Sequence, residues 1–108
     1  VDPILESGLD TWAPSGAAFY SGDRLPESWR GRFFFAALRG QHLGRVTVHS
    51  SDLRSVERFE KLFVGEFGRL RDVVQGPDGF LYVTTSNRDG RGIPRSGDDR
   101  LLRIVPVR

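Results

Sequence analysis

The stretch Phe33-Phe34-Phe35-Ala36-Ala37-Leu38 limits the possible folds more than any other part of the chain. A strand with one wet face alternates apolar and polar residues, whereas this run is apolar at every position. It predicts a strand covered on both sides. A β-branched and aromatic run, Phe80 to Thr85, begins 47 positions after Phe33. The same order of segments surrounds each of them. A short strand comes first, Gly16–Tyr20 and later Leu70–Val74. A turn follows, marked by Pro26 and Gly31 in the first copy and by Gln75-Gly76-Pro77-Asp78-Gly79 in the second. Proline fixes φ in such turns and glycine supplies φ > 0. After the buried strand and a gap, an arginine-containing strand closes each copy, Gly44–Val48 and Leu101–Val107.

A period near 47 suits a β-propeller blade, a four-stranded antiparallel sheet packed on both faces by its neighbours. The innermost strand of a blade is crowded, which suits Gly16, Ala17 and Ala18. A fourth, outer strand fits the first copy near Arg58–Val64, and the second copy stops after three. Ser50 to Phe63 has two readings. Leu53, Val56, Phe59 and Phe63 recur at helix-like spacing behind a possible cap at Ser51 or Asp52; the preferred reading is a loop and the outer strand. Ser86 to Asp99 reads as a polar loop, expected to edge a substrate entrance. Pro106 is tolerable only near a strand end or at an edge.

Two blades cannot close a ring, and 108 residues bury only about two-thirds of their unfolded surface. Each blade would leave an apolar face open. The expectation is a part of a longer chain, or a unit that closes by self-association. The absence of methionine, with Val1 first, fits a processed, excised or truncated chain. With no cysteine, disulfides, Cys-ligated zinc and a thiol nucleophile are excluded. No run approaches the ~18 apolar residues of a membrane span. The sixteen basic residues, all arginine except Lys61, are scattered among fourteen acids. That is not the basic stripe with interleaved aromatics that marks a nucleic-acid partner.

Arg69 and Arg71 stand two apart on an expected inner strand, which places both on one face roughly 6.5–7 Å apart. Two guanidinium forks at that spacing suit a multiply charged carboxylate ligand. The alternative is a solvated pair, or one bonded to Asp72 or Glu66. Asp72 itself is expected to bond backbone amides of a neighbouring turn. His42 and His49 read as surface residues.

Several segments together resemble the C-terminal part of the soluble glucose/sorbosone dehydrogenases. They are Asp10-Thr11-Trp12-Ala13-Pro14-Ser15-Gly16, Trp29-Arg30-Gly31, Phe35 to Gly40, Gly68 to Tyr82 and Asp98 to Ile104. The most specific is the Arg-x-Arg-Asp-Val of Arg69–Val73 followed by Gln75-Gly76-Pro77-Asp78-Gly79. The resemblance implies an all-β fold, a partial six-bladed β-propeller of about two blades. Residues 10–65 would form a penultimate-type blade, and 66–108 a last-type blade lacking its outer strand. It implies oxidation of aldoses by hydride transfer to pyrroloquinoline quinone (PQQ), with Arg69 and Arg71 as the cofactor's arginine pair. Arg39 stands near a position where some members carry a cofactor-contacting lysine. Thr11 and Trp12 fall where members place cofactor-lining residues; Trp12 would either stack on the flat ring or plug the gap between blades. The catalytic histidine and the calcium site would lie in residues outside this chain. A periplasmic or secreted location is implied, with a sugar substrate and either the rest of the parent propeller or copies of the chain itself as partners. The rival readings are a non-catalytic propeller acting as a binding or interaction module, and a self-assembling two-blade structural unit.

Overall fold

The structure is a computed structural model that describes residues 4–49, 51–52 and 55–106. Two antiparallel sheets pack face to face. The first holds β1 (Pro14–Phe19), β2 (Phe33–Ala37), β3 (His42–Val48) and β4 (Val56–Leu62), in that order. The second holds β5 (Leu70–Gln75), β6 (Leu81–Thr85) and β7 (Leu101–Ile104), again in order. A single 3-10 turn, Glu27–Trp29, interrupts the β1–β2 connection. Among the described residues no helix is long and apolar enough to cross a membrane. The strand expected to reach Val107 ends at Ile104, before Pro106, and it is an edge; Val107 itself lies outside the described residues.

β2 is covered on both faces, as its composition requires. Phe34 and Ala36 enter the core between the sheets, with Tyr20, Leu43, Leu70, Leu81 and Val83. Phe35 and Ala37 point the other way with Val46, where Leu5, Trp12 and Phe59 cover them. Full burial of a phenylalanine such as Phe34 contributes about 2–3 kcal/mol. Beyond that cover lies a largely apolar hollow of about 780 Å³, lined by Leu5, Trp12, Ala17, Phe33, Phe35 and Val46 among others.

Val56–Leu62 is a strand, starting and ending two residues before the expected Arg58–Val64; Ser50 and Leu53 lie outside the described residues. The helix-like spacing has a physical cause. Thr47 pairs with Arg58 and Val48 with Val56, so Glu57 is an extra residue on β4. Such a bulge shifts the side-chain alternation by one. It lets Val56 and Phe59, three apart, pack on the same apolar cluster. Arg45 and Glu60 face each other across β3 and β4 in a two-pronged ion pair, at 3.2 and 2.7 Å.

The sheets approach each other most closely along β1 and β5, the inner strand of each, and are joined at both ends of these two strands. At one end the buried Tyr20 hydroxyl donates to the Gly79 carbonyl. The same oxygen accepts the Arg24 and Leu25 N–H groups at 3.0 Å each, which ties the turn after β5 to the end of β1. At the other end each inner strand carries a bulge. Ser15 is the extra residue between Pro14 and Gly16, and Arg71 between Leu70 and Asp72. The two bulged residues meet: the Ser15 hydroxyl donates to the Arg71 carbonyl. Asp72 does not bond a neighbouring turn as expected. Its carboxylate accepts the Val73 N–H at 2.9 Å and lies against Gly16.

Candidate functional site

The bulge end of β5 presents Arg69 and Arg71, and the loop 86–99 closes over it. The sequence places the two arginines on one face of a regular strand. In the structure Arg69 precedes β5 and Arg71 is the bulged residue, yet the two converge. The Nη2 groups of Arg69 and Arg71 reach the same Asp89 oxygen, Oδ2, at 3.2 and 3.3 Å. The partner is therefore neither Asp72 nor Glu66. Arg69 is buried with its side chain 10% exposed, whereas the Arg71 side chain is 51% exposed. The Arg69 Nε is buried with no hydrogen-bond partner among the described residues. Gly92 allows this closure: a Cβ there would lie 2.7 Å from Arg69 Cδ and 2.9 Å from Asn87 Cα.

The loop is held without the side chains of Arg69 and Arg71. Asn87 is fully buried. Its Oδ1 accepts the Arg69 N–H at 2.9 Å, and its Nδ2 donates to the Phe67 carbonyl and to Asp98 at 2.9 and 3.0 Å. The Asn87 N–H donates to Asp99 Oδ1 at 2.6 Å. Arg95 bonds the Glu66 and Gly65 carbonyls, fastening the loop to the β4–β5 connection. Asp89 is fixed by the Arg91 N–H at 2.9 Å and the Ser86 hydroxyl at 3.1 Å.

Those contacts show in the acidities. The Arg91 N–H, the Ser86 hydroxyl and the Arg69 guanidinium lower the Asp89 carboxyl from 3.8 to about 2, against the desolvation that opposes them. The Arg95 N–H, then the Asn87 amide and the Arg100 and Arg88 charges, lower Asp98 as well. A carboxylate whose folded pKa lies below its unfolded value stabilises the fold above that value and loses the contribution as pH falls through the folded pKa. The thermal midpoint is therefore expected to fall as the pH drops from about 4 to about 2. Circular dichroism melts across that range check it; a level midpoint would contradict the bonding of Asp89 and Asp98.

Thr11, Trp12 and Arg39 gather elsewhere at the same end of the first sheet. With Asp10, His42 and Lys61 they line a polar hollow of about 410 Å³. Thr11 and Arg39 are exposed. Trp12 stacks on Phe35 at 5.4 Å, tilts against Phe59 at 5.1 Å and meets the edge of His42 at 5.8 Å. His42, expected at the surface, is buried at the start of β3; His49 is exposed. Burial lowers the His42 pKa below 6.5. Its Nδ1 faces the Gly40 carbonyl at 3.1 Å, while its Nε2 and the Trp12 Nε1 are buried without partners among the described residues. Among the described residues no three His, Asp or Glu side chains come together to hold a metal.

Ser86, Asn87 and Asp89 are the residues whose part beside the arginine pair the sequence reading did not foresee. The only signal was their place in a polar Asp/Gly loop, which says nothing of where the loop closes.

Two packed antiparallel sheets of four and three strands, joined along their inner strands, are consistent with part of a larger β-propeller. The profile of the Glucose / Sorbosone dehydrogenase family matches residues 2–103, and the chain belongs to that family. It is 37% identical over 81 residues to the aldose sugar dehydrogenase YliI of Escherichia coli, covering 75% of this chain and 21% of that protein. It is 34% identical over 93 residues to the uncharacterized protein slr1608 of Synechocystis, covering 82% of this chain and 21% of that protein. The chain thus spans about a fifth of the length of these relatives. Among solved structures, a candidate glucose dehydrogenase from Thermus thermophilus superposes with a TM-score of 0.79 at 46% identity, over 95% of this chain and 28% of that one. The PQQ-bound aldose sugar dehydrogenase of Streptomyces coelicolor superposes with a TM-score of 0.74 at 35% identity, over 94% and 27% of the two chains.

Proposed function

We propose that this chain is part of a PQQ-dependent sugar dehydrogenase and that Arg69 and Arg71 anchor the carboxylates of the cofactor. The observation that carries the reading is the convergent arginine pair. Asp89 engages each guanidinium through one Nη2 and one shared oxygen. Two cations facing one carboxylate leave a net positive site, and the Arg69 Nε is buried without an acceptor among the described residues. A ligand with several carboxylates fits such a pair, since a planar fork takes a carboxylate through two N–H groups. The 35% identical S. coelicolor structure in its PQQ-bound form supports the assignment.

In this reading residues 10–65 form a penultimate-type blade and 66–108 a last-type blade of a six-bladed propeller. The apolar hollow beside Phe33 and Phe35 is where a preceding blade packs. Arg39 supplies a further cation to the cofactor's surroundings, with Thr11 and Trp12 beside it. When bound, PQQ would supply the hydride acceptor for the oxidation of an aldose, with calcium held by residues outside this chain. The residues of this chain bind and orient: Arg69 from a buried position, Arg71 from the rim. A periplasmic or secreted location belongs to the same proposal.

The test is a titration with PQQ, calcium being present, and with its trimethyl ester, which keeps the flat ring and loses the acidic charges. The acid is expected to bind at least about ten-fold more tightly than the ester. Equal affinities would remove the arginine anchor.

A further inference from the structure

We propose that Asp89 is a positioning residue, whose carboxylate, fixed by its own loop, draws Arg69 and Arg71 to one point so that their forks converge before a ligand arrives. The inference rests on the reading of the pair as a carboxylate anchor. Two guanidinium groups brought this close repel each other, and Arg69 is buried, where an uncompensated charge is costly. Something must hold them together, and the only acid bonded to either among the described residues is Asp89.

The geometry suits an aligner better than a plug. Asp89 Oδ1 accepts the Arg91 N–H, and Oδ2 also accepts the Ser86 hydroxyl, so the carboxylate stays in place whether or not the arginines are engaged. The loop that carries it is fastened at Asn87 and Arg95. Asp89 also takes little of the pair's capacity. Both contacts go to one oxygen, the Arg69 Nε bonds none of the described residues, and the Arg71 side chain is half exposed. A ligand can therefore bind beside Asp89 without displacing it. Position 89 then sets how strongly the site prefers a compound with adjacent carboxylates over one without them.

Asp89→Asn tests this. The variant keeps the shape and an oxygen for the Arg91 N–H, and turns an N–H group toward the arginines in place of an acceptor. Two quantities are read: the ratio of PQQ to trimethyl-ester affinity, and the arginine Nε–H signals in the nitrogen–proton NMR spectrum without ligand. The ratio is expected to fall about ten-fold, and the Arg69 Nε–H signal to broaden or vanish while the backbone spectrum stays dispersed. A purely structural loss would weaken acid and ester alike. An unchanged or higher ratio in Asp89→Asn would overturn the proposal, since Asp89 would then be only a counter-charge. If wild type shows no preference for the acid but Asp89→Asn still loses the Arg69 signal, the cofactor reading fails and the alignment of the pair stands. If Asp89→Asn does not fold, Ser86→Ala removes one anchor and leaves the charge. A smaller fall in the same ratio supports the proposal there, and no change overturns it.

Discussion

The double variant Arg69→Ala/Arg71→Ala is expected to bind PQQ about a hundred-fold more weakly than wild type, with the trimethyl ester unaffected. A carboxylate held by a guanidinium contributes about 1.5–3 kcal/mol when the contact is sheltered, and less when water screens it. Arg69 is sheltered and Arg71 is not, so the loss is expected to divide unevenly, with Arg69→Ala the more damaging single change. The fold should survive. The Arg69 backbone N–H keeps its bond to Asn87, and Asp89 keeps the Arg91 N–H and the Ser86 hydroxyl. Fluorescence titration of each variant, with a melting curve as the control for folding, gives the answer. Equal PQQ affinity in wild type and the double variant would end the cofactor role of the pair.

The parts of this molecule legible in its sequence are those decided within one strand or one turn. The continuous apolar run of β2 announced cover on both faces, and Phe34 and Phe35 are buried on opposite sides of one sheet. The Gln75–Gly79 turn announced a hairpin, and Gly79 sits there at a φ of 84°. What escaped depends on residues distant in sequence. A bulge such as that at Glu57 shifts the alternation on which any spacing argument rests. The same device at Arg71 means that the arginine pair converges because of Asp89, 18 residues beyond Arg71, and not because of a two-residue strand repeat. His42 was misplaced for a related reason. It stands next to a Gly-Gln turn and looks exposed, but β3 begins on it and the Trp12–Phe35–Phe59 cluster closes around it.

The carboxylates of the loop 86–99 are spent inside the chain: Asp98 and Asp99 on Asn87, Asp89 on the arginines. Each bond made this way fixes the loop against the β5 end. The loop, ordered by its own bonds, thus carries the carboxylate that meets the cationic pair.

Gly16→Val is expected to destabilise the chain by about 3 kcal/mol or more, because the inner strands touch at this residue. A Cβ at position 16 would overlap the Asp72 carboxylate and lie 2.7 Å from the Asp72 Cα. The carboxylate could swing away, but the backbone atom could not. β1 and β5 would have to separate, opening the core of Leu70, Val73 and Phe34 behind them. For a domain whose whole stability is about 5–15 kcal/mol, that is a large share. Gly31→Ala is the comparison: position 31 has a φ of 69° and open space around it, so its cost is conformational only, about 1 kcal/mol. Urea unfolding should therefore show a midpoint drop for Gly16→Val at least about twice that for Gly31→Ala. The damage should also reach the arginines. Ser15, the residue before Gly16, holds the Arg71 carbonyl across the same joint, so a folded remnant of Gly16→Val should prefer PQQ over its ester less than wild type does. A Gly16→Val protein with the wild-type midpoint would mean that the two inner strands do not meet at this point, and the arginine pair would lose the support it takes from the first sheet.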